Sequence, residues 1–315
     1  MQKGFGCGTT DGMSSAAAPQ GFLYALIAYT AWGSFPLYWH QLHRIPHWEI
    51  LSHRVVWSAF FLVLLSLCTG YRETLQRALS TRGVALRLMA SGCLLAVNWG
   101  TYIYAVNNQH MVEASLGYFI CPLFTIVLGL LFFRERLRPS QWMAIALAAC
   151  GVCVQVVRLG HTPWLAFILA ITFACYGAVK KGVAIQAVPG MCIETCAMLP
   201  CALLHIAWLS RQHTAYIPSQ ASSYETALLL CSGVVTSMPL IWFSKAATRL
   251  PLYLLGFTQF LSPTIQFGVA IFIYKETFNT TQALCFSFIW GSIAVLIWDG
   301  WYTQRMLRVK NQAVM

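Results

Sequence analysis

The chain has 315 residues, of which 58% are hydrophobic and only 9% charged, with a formal net charge of +11. Soluble domains carry about 25% charged residues, so an ordinary water-soluble fold is excluded and the chain belongs in a bilayer. The basic residues are scattered among short loops, which argues for a topology signal and against nucleic-acid binding.

A bilayer interior offers no water to the backbone, so spans must be helices or a closed barrel. The apolar segments are long and do not alternate, which leaves an all-α polytopic bundle. In chain order, residues 1–20 form a Gly/Ser/Ala-rich stretch without a signal-peptide core and are expected to be a disordered cytoplasmic tail. Ten spans follow, at roughly 21–40, 47–69, 84–106, 112–133, 139–157, 163–180, 190–209, 226–244, 252–273 and 281–299. Residues 300–315 form a basic cytoplasmic tail, and the longest loop, Ser210 to Tyr224, is polar and expected to cap one face. Arg72, Arg77, Arg82, Arg87, Arg134, Arg136, Arg138, Lys180, Lys181, Lys245 and Arg249 fall on one side together with the termini. Only Arg44, Arg158, Arg211 and Lys275 fall on the other, with Arg54 inside a span. That asymmetry puts both termini in the cytoplasm. Trp39, Trp48, Trp142, Trp164, Trp208 and Trp301 lie near span ends, as an interfacial aromatic belt does. The twelve cysteines sit mostly in apolar segments, where a thiol packs as a small hydrophobe. Cys150 and Cys153 match C-x-x-C within a span and carry no redox context.

The layout of Val106 to Trp142 returns from Ala247 to Ala283 without a gap. Phe119 falls on Phe260, Pro122 on Pro263, Glu135 on Glu276 and Gln141 on Gln282. Trp32-Gly33 matches Tyr176-Gly177, and Pro46 with Glu49 matches Pro189 with Glu194. Five crossings separate the copies, an odd number, so the second is inverted. The expected organisation is a five-helix repeat over 21–158 and an inverted one over 163–299, the mark of a transporter that alternates between two faces.

The segments AYTAWGSFPLYW, EILSHRVVWS, NWGTYIYAVNNQHMVEASLGYFICP, RERLRPSQW, CYGAVKK, GMCIETCAMLP and TRLPLYLLGFTQFLSPT together resemble the RarD-type permeases, in the EamA-like branch of the drug/metabolite transporter superfamily. The resemblance runs from Gly21 to Arg305 and implies a ten-helix permease of the bacterial inner membrane, whose relatives carry a chloramphenicol-sensitivity label. Two departures are evident. Cys121 precedes Pro122 where the family has asparagine, and Lys180-Lys181 stands where it has Arg-Lys.

Ionisable residues within spans are the sharpest functional signal, because insertion alone costs about 2.5–3.5 kcal/mol at a helix centre. Glu49 and His53 share a helix face, with Arg54 about 100° round from His53. Arg54 either holds an anionic or polar solute group, with Glu49 or His53 taking up a proton, or forms a structural clasp with Glu49. Glu113 opens a span, where the helix dipole alone favours a carboxylate. Glu194 is a lone intramembrane carboxylate and a proton-site candidate. Asn98, Trp99, Tyr118, Tyr176, Gln259 and Gln266 are candidates to line a central cavity, against a reading of plain interhelical hydrogen bonds. Pro36, Pro122, Pro239 and Pro263 are candidate kinks. His40, His43, His47 and His53 cluster without a Cys or Asp partner, so no metal is expected. There is no phosphate-binding loop, no G-x-S-x-G and no H-E-x-x-H, so neither an ATPase, a cofactor nor an enzyme is expected. The leading reading is an inner-membrane secondary transporter of a small organic solute, with proton coupling as one option. The alternative is a polytopic membrane sensor or binding protein without transport.

Overall fold

Long apolar stretches free of Asp, Glu, Lys and Arg become helices because only a helix satisfies every backbone group within one segment. In the computed structural model, which describes residues 17–217, 220–275 and 280–312, the helices are α1 (Ala17–Trp39), α2 (His47–Cys68), α3 (Arg72–Ser80), α4 (Arg82–Asn107), α5 (Met111–Phe132), α6 (Pro139–Leu159), α7 (Trp164–Gly182), α8 (Ala187–Arg211), α9 (Ser223–Ala247), α10 (Leu252–Gln259), α11 (Leu261–Gly268) and α12 (Thr280–Gln312). A 3-10 turn covers His40–Leu42, and a π turn, Val269–Ile273, prolongs α11.

Among the described residues, nine segments are long and apolar enough to cross a membrane: α2, α4 to α9, the α10–α11–π segment and the first part of α12. The sequence reading expects ten. The remaining one, α1, has 23 residues and no charge, but tyrosine, tryptophan, glycine and serine dilute its apolar character. Three further differences are local. The amphipathic α3 is absent from the sequence reading because its surface is polar, with Arg77 and Glu73 paired at 2.9 Å one turn apart. The span expected at 252–273 is broken after Gln259. Pro263, four residues on, has no N–H to offer the Gln259 carbonyl, which removes one rung of the ladder at the break, whereas α1, α5 and α9 run unbroken through Pro36, Pro122 and Pro239. Finally, α12 continues as helix to Gln312, through residues expected as a tail.

Helix ends follow local chemistry. Ser222 and Glu225 form a reciprocal capping box at α9, and α6 ends at Gly160 with φ of +77°, a left-handed cap that glycine adopts without strain.

The helices pack as α2 on α8 and α9, α4 on α7 and α8, α1 on α9 and α11, α5 on α7 and α10, and α6 on α12. Two glycines permit the closest approaches. A Cβ on Gly92 of α4 would meet the Glu194 carbonyl of α8 at 2.7 Å, and one on Gly233 of α9 would overlap the Trp57 backbone of α2. The Gly233 contact is held by a 3.2 Å bond from the Ser58 hydroxyl to the Gly233 carbonyl. Backbone cannot yield as a side chain can. Gly233→Ala should therefore cost about 1–3 kcal/mol through overpacking, read as a lowered Tm of the detergent-solubilised protein, whereas alanine at Gly268, which faces open space, should leave it unchanged.

Candidate solute site

The proline-bearing helix α5, the broken α10–α11 pair and the stripe of Trp32, Phe35, Trp39 and Pro36 on α1 enclose a cavity of about 500 Å³ together with α2, α4, α7 and α9. That volume suits a small organic molecule. Its wall reaches the surface at His43, His47 and Met111, all exposed, and ends among buried Tyr29, Cys121 and Gln259.

An aromatic layer closes the inner end. Trp32 meets Phe173 and Phe243 at ring separations of 5.6 Å, Tyr29 lies 5.5 Å from Trp32, and Tyr176 stacks on Phe243 at 5.7 Å. Beneath it, the Glu135 carboxylate accepts from the Leu252 and Tyr253 amides at 2.7 and 2.9 Å, satisfying the free N–H groups at the start of α10. Lys181 stands 3.5 Å from Glu135 and donates to the Leu250 carbonyl at 2.5 Å. Glu135 thus ties α5 to α10 on this side of the floor, and its repeat counterpart Glu276 lies outside the described residues. Glu135→Ala should expose these buried donors and cost about 1–3 kcal/mol, measured as thermal stability, with Glu135→Gln recovering part of it.

Arg54 of α2 is the charged centre of the wall. Its guanidinium carbon lies 4.6 Å from the Trp39 ring and 4.8 Å from the Trp99 ring, and its Nε donates to the Thr236 hydroxyl at 3.2 Å. Trp39, expected in the interfacial belt, turns inward to make this contact, whereas Trp48, Trp142, Trp164, Trp208 and Trp301 are exposed. Arg54 has no carboxylate partner among the ion pairs of the described residues. Glu49 is buried one turn away and accepts the Tyr216 and Ile217 amides, both at 3.0 Å, so it fastens the long loop over α2 rather than clasping Arg54.

The other sequence candidates divide between wall and framework. Asn98, Trp99, Tyr118, Gln259, Gln266, Pro36 and Pro263 line the cavity. Their amide donors also bridge helices: Asn98 to the Leu169 carbonyl at 2.8 Å, Gln259 to the Cys121 sulfur at 3.0 Å, and Gln266 to the Trp32 carbonyl at 3.4 Å. Cys121 faces the cavity where the family resemblance expects an amide. His53, Glu113, Tyr176, Glu194, Pro122 and Pro239 do not line it. Glu113 accepts the Leu165 amide at 3.3 Å and lies 3.4 Å from His110 Nδ1, which fastens α5 to the start of α7. Glu194 is fully buried, 2.7 Å from Lys180 and 3.5 Å from the Tyr176 hydroxyl. Pro239 borders a separate shallow groove between α1 and α9.

Sequence reading missed Tyr102 and Thr236. The first was accessible, since it follows Asn98 by one helical turn and shares its face; Thr236 carries no such signal.

The comparisons with known proteins bear on this arrangement. Residues 19–157 match the EamA-like transporter family model. The protein RarD of Salmonella typhimurium is 44% identical over 294 residues, covering 93% of this chain and 99% of its own length. The chain belongs to the RarD-type permeases of the EamA-like family. An uncharacterized transporter of Pseudomonas aeruginosa is 41% identical over 94% of this chain and 99% of its own. A protein of the same organism named chloramphenicol-sensitive protein RarD is 29% identical over 92% and 96%. A solved crystal structure shares the fold at a TM-score of 0.67 and 20% identity, over 90% of this chain and 98% of that one. This RarD-type permease is accordingly a multi-pass membrane transporter.

Proposed function

We propose that this permease is a secondary transporter of a small organic solute in the bacterial inner membrane, working by alternating access. The observation that carries the reading is the cavity itself. It is sized for a metabolite, lined by aromatic and amide side chains around one cation, open at the His43 end and closed by an aromatic layer at the other.

In this reading α1 is the tenth crossing, the repeats are 21–158 and 163–299, and both termini are cytoplasmic, so the cavity faces outward. Two observations support the inverted repeat. Exchanging each of the five spans of one half for its counterpart carries the main helix contacts onto themselves: α2 on α9 becomes α8 on α4, α1 on α9 becomes α7 on α4, and α5 on α7 becomes α11 on α1. The register of the repeat, which pairs Pro122 with Pro263, also pairs Tyr118 with Gln259 and Cys121 with Ser262, and all four of these last residues line the cavity. Rocking one repeat against the other would open the floor as the mouth closes.

Proton coupling is assigned to Glu194. Its carboxylate is buried with Lys180 and touches Tyr176, a member of the layer that closes the floor. Protonation would dissolve the ion pair and loosen that layer. Uptake into proteoliposomes, with and without a protonophore, tests the proposal, the candidate solutes being chosen by metabolite profiling of cells lacking or overproducing the protein. Gene-dose-dependent solutes that the purified protein moves across the liposome membrane support transport. A folded protein that binds such a solute and never moves it would leave a binding or sensor role instead.

A further inference from the structure

The wall of the cavity carries one permanent charge, and it is positive. Among the described residues lining it there is no aspartate, glutamate or lysine; the other ionisable basic groups, His43 and His47, lie at the mouth. A charge held within the span region is costly unless something pairs with it. The protein supplies little pairing. Among the described residues, of the five guanidinium N–H donors only Nε has a hydrogen-bond partner, the Thr236 hydroxyl. Contacts with Trp39 and Trp99 engage the cation through the rings and leave its in-plane donors free. Such a fork matches a carboxylate bidentately. Around it the wall is apolar and aromatic, with Trp32, Phe35 and Tyr118 in reach of a ring or branched chain. Among the described residues an ammonium group would find no carboxylate on this wall.

We infer that the solute is a small organic monocarboxylate with an aromatic or apolar body and no amino group, its carboxylate held by Arg54. This inference rests on the reading of the cavity as the solute site. It goes further in fixing the sign of the charge and excluding zwitterionic and cationic solutes as preferred ligands.

The test is binding to the purified full-length protein in detergent, followed by tryptophan fluorescence and thermal shift. The probes share one body: phenylacetate, phenylacetamide, phenethylamine and phenylalanine. Phenylacetate should bind at least about tenfold more tightly than each of the others: the amide and the amine lose the charge-assisted hydrogen bonds, and phenylalanine keeps its carboxylate but buries an unpaired ammonium. In Arg54→Gln the preference over the amide should fall below about threefold, and Arg54→Lys should retain part of it. An amide, amine or amino acid that binds wild type as well as phenylacetate does would overturn the inference without any variant being needed. So would a folded wild type that binds none of the probes, or a preference that survives in folded Arg54→Gln. Counterflow of labelled phenylacetate in proteoliposomes separates the two readings. Anion-selective binding without flux removes transport and keeps the ligand class. Flux of neutral or cationic solutes with no anion preference removes the ligand class and keeps transport.

Discussion

Arg54→Ala should abolish solute transport while leaving the protein as stable as wild type, or more so. The two halves of this result have separate causes. An arginine that holds a solute anion contributes charge-assisted hydrogen bonds of about 1.5–3 kcal/mol, so its loss lowers affinity by roughly 10- to 150-fold. An arginine that clasps a buried partner behaves differently, since removing one member of a buried pair costs about 3–5 kcal/mol. Among the described residues Arg54 has no carboxylate partner and contacts Thr236 and two indole rings, and Glu49 is already engaged by the Tyr216 and Ile217 amides. Truncation therefore relieves a charge with no counter-ion and leaves behind only the buried Thr236 hydroxyl, a neutral group. The measurement is Tm in detergent beside uptake in proteoliposomes at matched protein density. A drop in Tm of several degrees together with partial retention of uptake would assign Arg54 to the framework.

The buried pair Lys180–Glu194 gives the second large effect. Both side chains are almost inaccessible, at 4% and 0%, and they stand 2.7 Å apart. Glu194→Gln leaves the lysine without a counter-charge and should destabilise the protein by about 3–5 kcal/mol, enough to lower its yield. Lys180→Met in the same chain removes the stranded charge, and the double variant should regain most of the stability. Its transport then discriminates the roles. If Glu194 carries the coupling proton, the double variant equilibrates solute across proteoliposomes but no longer accumulates it against a gradient, and a protonophore has no effect. Accumulation that persists and still collapses with the protonophore would make the pair a clasp between α7 and α8 and move coupling elsewhere. A proton crossing 100 mV supplies about 2.3 kcal/mol, or nearly fiftyfold accumulation, so the two outcomes are well separated.

Much of this architecture was legible before any coordinates. Low charge and long apolar runs dictate membrane helices, because only internally bonded segments tolerate hydrocarbon. Most of the predicted spans match helices to within a few residues, and of the six residues expected at a central cavity Asn98, Trp99, Tyr118, Gln259 and Gln266 line the one observed while Tyr176 does not. Arg54 and the kink candidates Pro36 and Pro263 line it too. One-dimensional signals fail where a residue's role depends on its partner. Glu49, Glu113, Glu135 and Glu194 are all carboxylates near span ends. Three of them satisfy backbone amides of distant segments and the fourth pairs with a lysine one helix away. Spacing also cannot tell an interfacial tryptophan from one turned inward, as Trp48 and Trp39 differ. Nor can it find Thr236, 182 residues from the arginine it contacts. The sequence by itself determined the medium, the helices and the aromatic and charged stock from which a cavity is made, since these follow from transfer energies and periodicity within each segment. Only the tertiary structure decided that, among the described residues, Arg54 faces that cavity without a carboxylate while Glu49 is engaged elsewhere, because pairing is a property of helices brought together.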